Sequence, residues 1–267
     1  MKEQAIAIAA SATSPAEKLN VLREYLQAFA LRSLHESEAF LSLSFVGGTA
    51  LRFAFNLPRF SEDLDFSLEN PEAYLPLKWM KKLKNDMMLA GFDVSINWND
   101  RKTVHAAWIK VGGILKETGL VAMADQKLSI KLKIDTRPPA GAECTKTIIN
   151  RHLVFALQYH SLPSLMAGKT HALLTRKYQK GRDWYDLLWY LGKRPPLEPN
   201  MVLLQNALDQ TQGAGTFNAL DWRSLLEAKV RELDYLKISA DVHPFLERPK
   251  EAELMTAEHY LSLLSRP

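Results

Sequence analysis

Two carboxylates separated by one residue, Asp63 and Asp65, follow a pair of glycines, Gly47 and Gly48, that end an apolar run. Glycine lets a backbone approach a phosphate closely, and carboxylates are ligands for the Mg²⁺ that a nucleoside triphosphate carries. Residues two apart on a strand share a face at a spacing of roughly 6.6 Å, so both carboxylates can serve one cation. The combination predicts chemistry on a nucleoside triphosphate with Mg²⁺ or Mn²⁺.

Asp135 is the predicted third carboxylate of this site. It ends the clearest alternation in the chain, where residues 128–134 place leucine and isoleucine on one face. Asp135 lies on the other face, with Lys131 and Lys133, and must point to solvent or into a cleft. We therefore predict that Asp63, Asp65 and Asp135 together bind the metal.

The glycine pair also opens a predicted helix, whose free N–H groups and dipole favour a bound triphosphate. Thr49 would add a hydroxyl donor. Arg52 and Arg59 either contact phosphate or pair with Glu62, and the sequence does not decide between these roles. The predicted nucleotide-binding residues are Gly47, Gly48, Thr49, Arg52, Ser61, Lys169 and Arg176.

A second group of charged residues lies in the other half of the chain. Lys169 and Arg176 are seven residues apart on a predicted helix and project from nearly the same face. Asp183 falls in the first turn of the next helix, where an acid is commonly a cap, and Asp186 could pair with nearby basic residues. We predict catalytic roles for Lys169 and Asp183, with Asp186 as the alternative acid.

The elements that position these residues follow from periodicity. Apolar spacing predicts a helix over 15–34, and the regions expected to form strands are 43–46, 63–68, 92–98, 104–111 and 128–135. Shorter helices are predicted at 49–55 and 78–89, and after Pro163 the pattern becomes helical. The fold class is therefore α+β: a domain with a mixed sheet over 1–145, then a mainly helical domain over 146–267.

Composition limits the function classes. The 267 residues are 47% hydrophobic and 24% charged, with a net charge of +4 that mildly favours a polyanionic partner. A single cysteine excludes an intramolecular disulfide, and the histidines lack the spacing of a zinc site. No run is apolar enough to span a membrane and the start makes a poor secretory signal, so we expect a cytoplasmic location.

The motifs resemble those of a known family. Gly47-Gly48 followed by Asp63-Leu64-Asp65 is similar to the signature of polymerase-β-type nucleotidyltransferases. The fuller pattern continues through Lys169 and Arg176 to Arg182-Asp183-x-x-Asp186-Leu187 and resembles the AbiEii/AbiGii toxins of bacterial toxin–antitoxin and abortive-infection systems. The similarity covers about residues 46–191.

The resemblance implies transfer of a nucleoside monophosphate from an NTP to an acceptor. It implies metal binding by Asp63 and Asp65, a triphosphate contact by Lys169, and the acid of the Arg-Asp motif at Asp183. It further implies a cognate antitoxin and an RNA acceptor, particularly a tRNA 3′ end. A protein hydroxyl or small-molecule acceptor and a nucleotide-binding module without turnover stay open, although three convergent carboxylates argue against the last. The basic residues expected along the RNA path are Lys131, Lys133, Arg176, Lys177 and Lys180.

Overall fold

The computed structural model describes residues 1–123 and 125–266, which divide into two compact units. The sheet unit comprises 1–56, 60–138 and 145–159, and the helical unit comprises 57–59, 139–144 and 160–267. The helices of the sheet unit are α1 Lys2–Ala10, α2 Pro15–Glu36, α3 Gly47–Phe55, α4 Pro76–Leu89 and α5 Ile114–Glu117. Those of the helical unit are α6 Leu162–Thr175, α7 Gly181–Leu191, α8 Met201–Gln212, α9 Trp222–Val230, α10 Tyr235–Val242 and α11 Ala257–Leu264.

The described residues form one mixed seven-stranded sheet, in the order β3-β4-β5-β2-β1-β7-β6. Its strands are β1 Leu43–Val46, β2 Leu64–Leu68, β3 Asp93–Asn99, β4 Val104–Gly112, β5 Leu128–Asp135, β6 Cys144–Arg151 and β7 Leu153–His160. The central strand β2 runs parallel to β5 and antiparallel to β1, while β1 runs parallel to β7. The predicted α+β class with a mixed sheet and a helical C-terminal region is confirmed.

Strands β6 and β7 lie outside the predicted N-terminal half. Apart from their end residues Cys144 and His160, they belong to the sheet unit, because β7 pairs with β1 and β6 pairs with β7. The predicted domain boundary after residue 145 therefore differs from the division that the structure shows. Backbone pairing between strands distant in sequence, rather than chain order, decides where the sheet ends.

The core of the sheet unit lies between one face of the sheet and α2 and α4. Leu22, Leu26 and Phe29 of α2 are buried, as are the alternating apolar residues of β5. Each fully buried leucine, isoleucine or phenylalanine contributes about 1.5–3 kcal/mol. The opposite face of β5 keeps half-exposed polar residues, and the predicted active-site residue Asp135 is among them. Among the described residues no helix combines the length and apolarity needed to cross a membrane.

A buried ion cluster joins α2, α3 and the β6–β7 connection, and we call Glu24, Arg52, Arg151 and His152 the Glu24 cluster. Arg52 Nε lies 2.5 Å from Glu24 Oε2, and Arg151 Nη1 and His152 Nε2 lie 3.3 and 2.8 Å from Oε1. Burial alone would raise the pKa of the Glu24 carboxyl, but the hydrogen bond from His152 and the charge of Arg52 outweigh it and lower the pKa to about 2.

Replacing Glu24 with glutamine is expected to destabilise the protein in a pH-dependent way. The carboxyl has an unfolded pKa near 4.5 and a folded pKa of about 2, so its ionised form stabilises the fold above pH 4.5 and this stabilisation is lost as pH falls toward 2. The shifted pKa contributes roughly 3 kcal/mol to the free energy of unfolding at pH 7 and about half of that at pH 3. Urea unfolding at both pH values measures the difference in free energy of unfolding between wild type and Glu24→Gln. A difference that does not change with pH would contradict this explanation.

Candidate active site

Asp63 and Asp65 converge on one cationic group. Lys133 Nζ on β5 lies 2.5 Å from Asp63 Oδ2 and 3.3 Å from Asp65 Oδ1. The parallel register that aligns Asp65 with Lys133 explains the meeting, because aligned residues of neighbouring strands point to the same face. Burial alone would lower the pKa of Lys133, but the charges of Asp65 and Asp63 outweigh burial. The net pKa is raised, so the ammonium stays protonated at neutral pH.

Asp135 lies on the same face of β5, two residues beyond Lys133. It is aligned with Ser67 of β2, and its Oδ1 accepts a hydrogen bond from the backbone N–H of Arg137 at 3.0 Å. Two residues along a strand correspond to roughly 6.6 Å. Asp135 therefore lies about two residues along the sheet from the aligned pair of Asp65 and Lys133. The ion pairs of Lys133 are with Asp63 and Asp65.

Gly47 is the position where the backbone needs glycine. Its φ is +79°, and a Cβ placed there would lie 3.0 Å from Asp65 Oδ2. Gly47 and Gly48 form the first turn of α3, and the N-cap residue Val46 makes no side-chain cap hydrogen bond. The first turn thus presents backbone N–H groups beside the carboxylate pair, as the phosphate-binding prediction requires.

Two buried side chains hold the backbone that leads into β2. Thr49 Oγ1 on α3 donates to the Asp63 carbonyl at 2.5 Å, and Gln27 Nε2 on α2 donates to the Ser61 and Glu62 carbonyls at 3.1 and 2.9 Å. Thr49 and Gln27 are each 1% exposed. Asp63 precedes the first strand residue Leu64, so the bond from Thr49, rather than strand pairing, fixes its carbonyl.

Replacing Thr49 with alanine is expected to weaken metal binding. The change removes the donor to the Asp63 carbonyl, and loss of a group that orients a metal ligand typically lowers affinity by 10–100-fold. Thr49→Ser keeps the hydroxyl and should retain most of the affinity. Mn²⁺ titration followed by electron paramagnetic resonance gives the dissociation constant of each variant; equal constants for Thr49→Ala and wild type would contradict a positioning role.

Three predicted nucleotide ligands are engaged in other contacts. The Thr49 hydroxyl is buried against the Asp63 carbonyl, and Arg52 is 3% exposed in the Glu24 cluster, with its guanidinium 4.6 Å from the Phe60 ring centre. Ser61 contributes its carbonyl to the bond from Gln27. Arg59, which the sequence placed near phosphate or Glu62, binds Asp186 instead. Burial in protein contacts therefore favours structural roles for Arg52 and Arg59.

The carboxylate pair fits a divalent cation. Two carboxylates approach one point, and oxygen donors of this kind are preferred by Mg²⁺ and Mn²⁺. The ammonium of Lys133 lies at that point, and its single positive charge neutralises half of the negative charge of the two carboxylates. The donor set of Asp63 and Asp65 thus agrees with the metal-binding prediction.

The second group of predicted residues forms a charge cluster inside the helical unit. Lys169 Nζ lies 2.8 Å from Asp183 Oδ1 and 2.6 Å from Asp186 Oδ2, and Arg176 Nη1 donates to Asp183 Oδ2. Arg59 binds Asp186 through two bonds, both of 2.6 Å. We call these five residues the Lys169 cluster. Neither acid therefore stands as a simple helix cap, and Asp186 pairs with Lys169 and Arg59 rather than with the neighbours expected from sequence.

Electrostatics keeps Asp183 and Lys169 charged. Burial alone would raise the pKa of Asp183, but Lys169 and Arg176 outweigh it and hold the pKa well below its ordinary value. Burial likewise lowers the pKa of Lys169, but Asp183 and Asp186 raise it by more. Lys180 differs, because burial and the neighbouring cations lower its pKa despite Asp183. Lys180, Arg176 and Lys177 line a cavity of about 160 Å³ in the same unit, with Tyr178 and Asp183.

Comparison with known proteins identifies the family and the fold of the chain. The family model described as nucleotidyl transferase AbiEii toxin, type IV toxin–antitoxin system, matches residues 30–257. No curated protein is significantly similar to the chain in sequence. Two solved structures from Helicobacter pylori share the fold. One, described as a candidate nucleotidyltransferase, aligns with a TM-score of 0.56 and 17% identity over 92% of each chain. The other, JHP933, aligns with a TM-score of 0.51 and 18% identity over 91% of this chain and 88% of its own. With the family match spanning most of its length, the chain belongs to the AbiEii family of nucleotidyltransferase toxins of type IV toxin–antitoxin systems.

Proposed function

We propose that this protein transfers a nucleoside monophosphate from an NTP to the end of an RNA, with release of pyrophosphate, in a reaction that requires Mg²⁺ or Mn²⁺. The observation that carries the proposal is the convergence of Asp63 and Asp65 on a single cationic group beside the first turn of α3. A structural ion pair alone would need neither the second carboxylate nor the glycine turn against Asp65.

The predicted site residues Asp63, Asp65, Gly48, Thr49 and Asp135 of the sheet unit then each have a role. Asp63 and Asp65 hold the metal, which when bound neutralises the triphosphate and orients its α-phosphoryl group. The Gly48 and Thr49 amides bind β- and γ-phosphate oxygens at the start of α3. Asp135 accepts the proton of the acceptor hydroxyl or serves as a further metal ligand. Arg52 has no place in this scheme, since its guanidinium is buried on Glu24.

The Lys169 cluster supports a narrower proposal for the helical unit. Lys169 is paired with two carboxylates, so a direct contact with phosphate requires exchange of one of these pairs. Arg176 has a more exposed side chain and lines the cavity with Lys180. We assign the pyrophosphate contact to Lys169 and Arg176, and we assign Asp183 the role of holding both cations in place.

We propose RNA as the acceptor and an antitoxin as the partner. RNA, in particular a tRNA 3′ end, suits the net positive charge of the chain, and both RNA and NTP are available in the cytoplasm. A toxin of a type IV system implies a cognate antitoxin.

Incubation with each α-³²P-labelled NTP, Mg²⁺ and total bacterial RNA tests this proposal. We expect label on RNA, with one NTP preferred, and no label when EDTA removes the metal. Label on the protein itself would favour a protein hydroxyl as the acceptor, and label on neither would favour a small molecule or binding without turnover.

A further inference from the structure

One face of the sheet in β3, β4 and β5 carries an exposed tryptophan among lysines. Residues aligned in neighbouring strands share a face, so Asn97, Trp108 and Lys131 form one row across the three strands. Lys110 follows in the next row along β4, and Lys133 lies two residues from Lys131 on β5. We call these five residues the Trp108 face. The other face of the same strands carries the buried core residues Ala107, Ile109 and Ile130.

Trp108 is unusual for its position. It lies on the interior strand β4, yet 42% of its surface is exposed. The core gains nothing from an indole on this face, and an apolar ring in water is unfavourable. The ammonium of Lys131 lies 4.9 Å from the ring centre, so an aromatic plane and a cation are presented together.

The Trp108 face is continuous with the carboxylate pair. Asp65 is aligned with Lys133, and Trp108 is aligned with Lys131, two residues away and one strand further. Strand spacings of about 4.8 Å and a two-residue rise of about 6.6 Å place Trp108 roughly 12 Å from Asp65 in the plane of the sheet. That distance corresponds to about three stacked nucleotides at roughly 3.4 Å each.

Resting on the proposed function, we propose that the Trp108 face binds the single-stranded end of the RNA acceptor. One base stacks on the Trp108 indole, Lys131 and Lys110 pair with backbone phosphates, and the Asn97 amide is placed to bind a base edge. An aromatic ring on a sheet surface requires an unstacked base, which single-stranded RNA supplies and a duplex does not. Lys131 over the ring and Lys110 on the same face match a polyanion, which favours RNA over a protein partner.

Binding of RNA to the full-length protein without nucleotide tests the proposal. The probe is a fluorescein-labelled single-stranded oligoribonucleotide of about ten nucleotides, followed by anisotropy at several salt concentrations. Trp108→Ala should weaken binding by about 5- to 100-fold, as expected for loss of one stacked base, and Trp108→Phe should restore most of it. Lys131→Gln should reduce the slope of log K against log salt by about 0.7.

The chain offers matched controls on the opposite edge strand β6. Ile148, 72% exposed, and the exposed Lys146 allow Ile148→Ala and Lys146→Gln, which should leave affinity and salt slope unchanged. A blunt RNA hairpin should bind more weakly and should not respond to Trp108→Ala. Equal single-strand affinity for Trp108→Ala and wild type, or an equal loss in Ile148→Ala, would overturn the proposal.

The outcome for the Trp108 face can be separated from that of the proposed function. Binding is measured without an NTP and does not depend on transfer. If wild type binds RNA through Trp108 but labels no RNA, the proposed function is contradicted and the RNA-binding role of the Trp108 face is supported. If wild type labels RNA, and wild type and Trp108→Ala bind RNA with equal affinity, only the RNA-binding role of the Trp108 face is contradicted.

Discussion

Replacing Asp65 with asparagine is expected to lower nucleotidyl transfer by roughly 10³-fold or more. A bound metal contributes several kcal/mol of charge stabilisation in the transition state, and each 1.36 kcal/mol corresponds to a factor of ten in rate. Asp63→Asn should have an effect of similar size, because both carboxylates approach the same point. Transfer rates of the variants under saturating NTP and Mg²⁺ provide the measurement.

The fold is expected to survive these changes. Asp63 and Asp65 are both half-exposed, and asparagine keeps the size of the side chain. Asp125→Asn, at an exposed carboxylate between β4 and β5, is the matched control and should keep full activity. Full transfer by Asp65→Asn with an unchanged unfolding midpoint would contradict a metal site at these residues.

Replacing Asp186 with leucine is expected to destabilise the protein by about 3–5 kcal/mol. Asp186 is fully buried and accepts two bonds from Arg59 and one contact from Lys169. Removing Asp186 leaves the buried positive charges of Arg59 and Lys169 without their carboxylate partner. An unpaired buried charge is strongly destabilising. Urea unfolding monitored by circular dichroism measures the loss.

A double variant separates charge from packing in this prediction. Arg59→Met with Asp186→Leu removes one charge of each sign, so it should recover most of the stability lost in Asp186→Leu. Arg248→Gln, at an exposed arginine that pairs with Glu251, is the control and should change stability by about 0.5 kcal/mol or less. A double variant no more stable than Asp186→Leu would show that packing at this site, rather than buried charge, explains the loss.

Local patterns were sufficient to predict much of the sheet unit. Alternation predicts β5, which has one buried and one half-exposed face. The acid–apolar–acid run predicts β2, where Asp65 is half-exposed between the buried Leu64 and Phe66. Strand β7 has a comparable alternation through Leu153, Phe155 and Leu157, which is the local signal for this strand. Strand β6 is mostly exposed, so its pattern carries little information.

The contacts that build the site depend on distant pairing. Lys133 meets Asp63 across 70 residues, and Arg59 meets Asp186 across 127. Neither pairing is encoded in a local period, so the sequence alone predicts Lys133 along an RNA path and Arg59 beside phosphate or Glu62. The one local signal for Gln27 is an amide on the buried side of α2, between Leu26 and Ala28. A polar residue at such a position usually binds buried backbone, and here it binds the Ser61 and Glu62 carbonyls.

The central claim is that this chain transfers a nucleoside monophosphate to an RNA end. The most direct test incubates the protein with Mg²⁺, total bacterial RNA and one NTP labelled with ³²P at either the α- or the γ-phosphate. Half of each RNA sample is first oxidised with periodate, which destroys the 3′-terminal diol. Our account predicts α-label on intact RNA, none on oxidised RNA, and no γ-label on either. Transfer of γ-label, or α-label that persists on oxidised RNA, would contradict it.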